Sequence, residues 1–117
     1  MTTMERSVEV ERVRNITVVR FAVEELTEET FQGIADELNA ILIELRPRQV
    51  VVDLVSIRRV DDLGLAMLQS FHDGVEELGG TAILCRLSLS VMSALSESGL
   101  QRLLHIRGTL NEAIWTF

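Results

Sequence analysis

Valines alternate with acids from Val8 to Glu11, the two-residue period of a strand with one wet face. Ile16 to Phe21 is a second strand-like run, and Arg14-Asn15 suits the turn of a hairpin between them. The period then changes. Phe31, Ile34, Leu38, Ile41, Leu42 and Leu45 form one apolar helical face, which predicts a helix over Thr27 to Leu45. Thr27 is its expected N-cap, Glu28 and Glu29 favour its first turn, and Pro47 stops it. Val50 to Val55 is nearly continuous and β-branched, as in a central strand covered on both faces. Leu65, Leu68, Phe71, Val75 and Leu78 return to helical spacing over Asp62 to Leu78, ended by Gly79-Gly80. Thr81 to Cys85 reads as a strand. Ser88 or Ser90 opens a third helix with Met92 and Leu95 inward, closed by Gly99. Leu103 to Ile106 is a short strand candidate, and Thr109-x-x-Glu112 is a capping box for a last helix over Leu110 to Phe117. Residues 1–5 are expected to fray.

The order is thus β-β-α-β-α-β-α-(β)-α in one α/β domain spanning 1–117. Alternation after the hairpin predicts a mostly parallel sheet. A chain of 117 residues, 47% hydrophobic and 25% charged, can fill one core. A net charge of −7 argues against a nucleic-acid surface and against an anionic membrane. No apolar run is long enough to span a bilayer. The first residues lack the apolar core of a secretory signal, and the single cysteine fits a reducing compartment, so a cytoplasmic location is expected. Cys85 lies in an apolar strand and reads as a core thiol.

Chemistry is sparse. All eleven basic residues are arginines, which removes Schiff-base lysines and a P-loop lysine. His72 and His105 stand alone in the sequence, with no metal-ligand spacing around either. Asp53 is the one carboxylate that could join Asp61-Asp62 at a metal, and no metal or cofactor is expected. No nucleophile, base and orienter can be assembled, so an enzyme is not expected. One junction concentrates polar groups: Val50 to Val55 runs out, and Asp61-Asp62 opens the next helix. Its plainest reading is a cap and a favourable helix-dipole charge.

Three stretches in order resemble a STAS domain of the anti-sigma factor antagonist family. They are Val51-Val52-Asp53-Leu54 with Val60-Asp61-Asp62-Leu63-Gly64-Leu65, then Leu78-Gly79-Gly80-Thr81-Ala82-Ile83-Leu84-Cys85, then Ser98-Gly99-Leu100 with Leu103-Leu104-His105-Ile106. The resemblance implies a small mixed sheet with helices packed mainly on one side. It also implies a serine that a kinase-like anti-sigma factor phosphorylates, in a pattern like Asp-Ser-Ser-Gly-Leu. Asp61 matches the family aspartate, Asp62 the phospho-accepting serine, Leu63 the second hydroxyl residue, and Gly64-Leu65 match as they stand. A carboxylate cannot accept that phosphate. It carries about −1 charge against about −1.5 to −2 for phosphoserine, so Asp62 either mimics the phosphorylated state in part or marks a lost switch. The family's Gly-Glu-Leu-Asp-like loop is replaced by Ala22-Val23-Glu24-Glu25-Leu26, and Glu24 and Glu25 are expected to add acidity near Asp62.

The function so implied is control of sigma-factor-dependent transcription through an anti-sigma partner. Asp61, Asp62, Leu63, Gly64, Met67, Arg58, Arg59, Glu24 and Glu25 are the expected contact residues, with Leu63 and Met67 apolar and Arg58 and Arg59 ionic. Ser70 is expected on the same exposed helix face. A homodimer is compatible with this reading. Two alternatives remain open: a scaffold module of a larger stress-signalling assembly, and a small-molecule or lipid-binding STAS domain.

Overall fold

The central strand explains the nearly continuous apolar stretch that begins at Val50. The computed structural model describes residues 6–117; the expected frayed end, 1–5, lies outside them. In chain order the elements are β1 (Val8–Val13), β2 (Ile16–Phe21), β3 (Glu25–Leu26), α1 (Phe31–Glu44), β4 (Gln49–Asp53) and β5 (Arg59–Val60). There follow α2 (Asp62–Glu77), β6 (Thr81–Cys85), α3 (Leu89–Ser98), a 3-10 turn at Leu100–Arg102, β7 (His105–Arg107) and α4 (Leu110–Trp115). Five strands form one mixed sheet in the order β1-β2-β4-β6-β7. The β1–β2 hairpin is antiparallel, with Val13 opposite Ile16, and the other pairs are parallel.

β4 lies in the middle with both faces buried. Val50 and Val52 face a core shared with Ile34, Leu38 and Ile41 of α1, Leu68, Phe71 and Val75 of α2, and Val91 and Leu95 of α3. Val51 faces the other side, with Val18, Ile83 and Ala113, flanked by Leu110, Ile114 and Phe117. Three helices therefore cover one face and the short α4 covers the other. This is why β4 carries no polar alternation.

The termini of the elements follow their capping residues. Asp61, Ser88 and Thr109 each accept a bond from a backbone N–H three residues on, and Thr109 with Glu112 completes the capping box. Gly99 ends α3 at φ 80°, a conformation glycine adopts without strain.

Four expectations change. α1 begins at Phe31, not Thr27. Thr27 donates its N–H to Thr30 Oγ1 at 3.1 Å, and that hydroxyl donates to the Glu25 carbonyl at 2.9 Å, so residues 27–30 form a separate turn. The cause is β3, which holds residues 25 and 26 extended against β5. β4 ends at Asp53, two residues early. Val91 joins Leu95 in the core, with Met92 half-buried. The last strand moves to His105–Arg107, because Leu100–Arg102 continue as a 3-10 turn after Gly99. Cys85 is buried as expected, and burial pushes its thiol up to about 12, with the Asp53 charge adding to it. It is no nucleophile at neutral pH.

Candidate functional site: a parallel ribbon at the start of the second helix

The junction after β4 is built by a two-stranded ribbon too short for sequence periodicity to show. β3 and β5 pair in parallel, Glu25 opposite Arg59 and Leu26 opposite Val60. The N–H groups of Arg58 and Asp61 donate to the carbonyls of Glu24 and Leu26 at 2.7 and 3.2 Å. Ser56 donates its hydroxyl to the Phe21 carbonyl at 2.6 Å. Ile57 and Leu26 are fully buried beneath the ribbon. The loop from 56 to 61 is thus fastened along residues 21–27, and the start of α2 is held by both.

The two adjacent aspartates divide the work. Asp61 is spent on structure: one carboxylate oxygen accepts from Gly64 N–H at 2.9 Å and the other from Glu28 N–H at 2.8 Å. Those backbone bonds, Gly64 first and Glu28 second, hold its pKa below the ordinary carboxylate range. Asp61 therefore caps α2 and ties the 27–30 turn to it. Asp62 is the first residue of α2, exposed at the positive end of the helix dipole.

Gly64 is a packing residue. A Cβ at this position would lie 1.9 Å from the Leu26 carbonyl oxygen and 2.7 Å from a Val60 methyl carbon. The backbone of α2 rests directly on β3, and only glycine fits. Leu63 points outward at 41% exposure, whereas Met67 is 4% exposed and belongs to the core. Two expected contacts are corrected here. Gly64 is buried under Leu26, and Met67 turns inward beside Leu68 and Phe71, because positions 67, 68 and 71 share the inner face of α2. Ser70 is exposed as expected. A groove of about 310 Å³ between α1 and α2 is lined by Phe31, Ala35, Leu42, Leu63 and Ser70, and by Met67, which though buried borders it.

The expected excess of acid beside Asp62 is also corrected. Glu24 pairs with Arg58 at 3.2 Å and Glu25 with Arg59 at 3.6 Å, so the ribbon carries balanced charge. Both pairs are solvent-exposed and add little to stability.

One polar cluster was not legible in the sequence. Asp53, wholly buried at the end of β4, accepts from Arg20 Nε and Arg86 Nε, each at 2.9 Å, and from Arg86 Nη2. Arg20 reaches on to Glu11 at 2.7 Å. Burial alone would raise the Asp53 carboxyl, but the bonds from Arg86 and Arg20 outweigh it and hold the pKa low. Both Asp53 oxygens are occupied by guanidinium, so it is a clamp joining β2, β4 and β6 rather than a metal ligand beside Asp61. Arg20 and Arg86 are its partners because both strands flanking β4 end there.

Comparison with known proteins gives the same architecture. The STAS domain family matches residues 7–113. No curated protein matches the sequence. Among solved structures, an anti-sigma-factor antagonist (STAS) domain protein from Planctomyces limnophilus is 21% identical with a TM-score of 0.84, covering 93% of this chain and 96% of its own. An anti-sigma factor antagonist from Mycobacterium paratuberculosis is 18% identical with a TM-score of 0.83, covering 93% and 91%. Moorella thermoacetica RsbS, in a variant with glutamate in place of a serine, is 23% identical with a TM-score of 0.76, covering 93% and 92%. At such identities the likeness shows the fold. With the family match running through all seven strands and into the last helix, the chain belongs to the STAS domain family.

Proposed function

We propose that the chain is an anti-sigma factor antagonist that works by binding an anti-sigma partner in the cytoplasm, and that it cannot be switched off by phosphorylation at Asp62. The observation that carries this reading is the division between the two aspartates. Asp61 is consumed by the cap, while Asp62 presents a free carboxylate at the position the family resemblance gives to the phospho-accepting serine. Its neighbours suit protein recognition. Leu63 offers exposed apolar surface beside it, Arg58, Arg59, Glu24 and Glu25 form a charged rim, and the α1–α2 groove extends the patch. An apolar centre within a polar rim is the usual anatomy of a protein contact. The output is release of a sigma factor from its inhibitor.

Leu63→Glu tests the patch without touching the core. The affinity for the anti-sigma partner, measured by calorimetry, is expected to fall by about tenfold or more, since an apolar contact near an interface centre is worth about 1.4 kcal/mol or more. Leu89→Glu, on the exposed start of α3, is expected to leave the affinity unchanged. Equal affinities for wild type and Leu63→Glu would remove this surface from the interface.

A further inference from the structure

His72 and His105, isolated in the sequence, meet in the fold. A ring nitrogen of each and a carboxylate oxygen of Glu76 all lie within 4.8 Å of one another. The rings stand 5.9 Å apart, tilted by 48°. His72 and Glu76 are one turn apart on α2 and so share a helix face, and His105 is the first residue of β7.

The His72 ring is short of a partner. It is only 3% exposed. Its Nδ1 lies 3.1 Å from the Asp73 carboxylate and 3.7 Å from Glu76. Its Nε2 is buried with no hydrogen-bond partner among the described residues. A buried polar nitrogen without a partner is unfavourable, and it is one of two such side-chain atoms among the described residues, with Thr27 Oγ1. An ion bound at Nε2 would meet that deficit by taking its lone pair, with the Asp73 carboxylate holding the N–H of Nδ1.

We propose that His72, Glu76 and His105 bind a divalent ion of the zinc class, which clips the edge strand β7 to α2. Two imidazoles and one carboxylate favour Zn²⁺ or Co²⁺ over Mg²⁺ or Ca²⁺, which prefer oxygen ligands. Tetrahedral zinc with bonds of about 2.0–2.1 Å sets its donor atoms about 3.3 Å apart. The three donors lie within 4.8 Å of one another, so binding requires them to draw closer, and Glu76 and His105 are the exposed members of the set. Their exposure leaves the remaining position to water. Asp73 stands beside His72 as the outer carboxylate. The clip falls where the sheet is weakest: β7 has three residues and one neighbouring strand, β6.

The test uses the tag-free full chain with the metal alone. Zn²⁺ is titrated by calorimetry, Co²⁺ by its visible spectrum, and amide exchange is followed at Ile106 and Arg107. One equivalent is expected to bind, with the spectrum of a four-coordinate Co²⁺ site and slower exchange in β7. His105→Ala and Glu76→Gln, both at exposed positions, are each expected to weaken Zn²⁺ binding by about tenfold or more. Absence of binding at a hundredfold excess of Zn²⁺, or binding unchanged in both variants, would overturn the proposal.

Discussion

Gly64→Ala is expected to lower stability by about 3 kcal/mol, the upper end of what overpacking costs. For a domain of this size that is about 10–15 °C in Tm. The added methyl would stand 1.9 Å from the Leu26 carbonyl oxygen, and that oxygen belongs to backbone, not to a side chain that can swing aside. The same carbonyl accepts the Asp61 N–H at 3.2 Å, so the clash falls on the bond that seats the helix cap. α2 must lift from β3 or the ribbon must part. Either movement displaces Asp62 and Leu63, so partner binding is expected to weaken together with stability. A thermal melt followed by circular dichroism checks this, and a Tm within about 3 °C of wild type would show that α2 has more freedom above β3 than the geometry allows.

Asp53→Asn is expected to cost about 2–3 kcal/mol at pH 7, the range for losing hydrogen bonds between charged partners. Loss of a wholly enclosed pair costs more, about 3–5 kcal/mol. The lower figure applies here because the Arg20 and Arg86 side chains are 28% and 38% exposed and recover hydration. The pH dependence has a definite sign. The folded Asp53 carboxyl is held below its ordinary value, against desolvation, by the two guanidinium groups. Its contribution is therefore complete above the unfolded value of about 3.9 and disappears as pH falls through the lower folded value. The difference between wild type and Asp53→Asn in urea unfolding is expected to be constant from about pH 7 to pH 5 and to shrink below about pH 4. A difference that stays constant down to about pH 3, or grows, would contradict the clamp.

Much of the fold was written in local pattern. The helical spacing of Leu65, Leu68, Phe71 and Val75 and the unbroken valines of β4 each report a buried face, and the capping box at Thr109 closes within one turn. What the pattern missed depends on contacts distant in sequence. β3 and β5 are two residues each and are defined only by pairing across 34 positions, so Thr27 looked like a helix cap when it belongs to the turn after β3. The junction itself was legible as chemistry but not as geometry. Asp61-Asp62 stood out as a pair that suits a helix cap, and the Gly64 N–H three residues on bears that out, but the second bond, from the Glu28 N–H 33 positions away, has no local signal. Met67 looked available because it lies four positions after the outward Leu63, but a helix turns 100° per residue and carries it to the edge of the inner face. The two histidines failed for the same reason as the ribbon, since 33 positions and a whole βα unit separate them.

Asp62 is proposed to occupy the position of a kinase-target serine in an otherwise competent recognition surface. The most direct measurement incubates wild type and Asp62→Ser with ATP and the serine-kinase anti-sigma factors of the same cell, and locates phosphate by mass spectrometry. An unmodified wild-type chain and phosphate at position 62 of the Asp62→Ser variant are expected. Phosphate on a serine of the wild type, or none on either protein, would contradict the proposal.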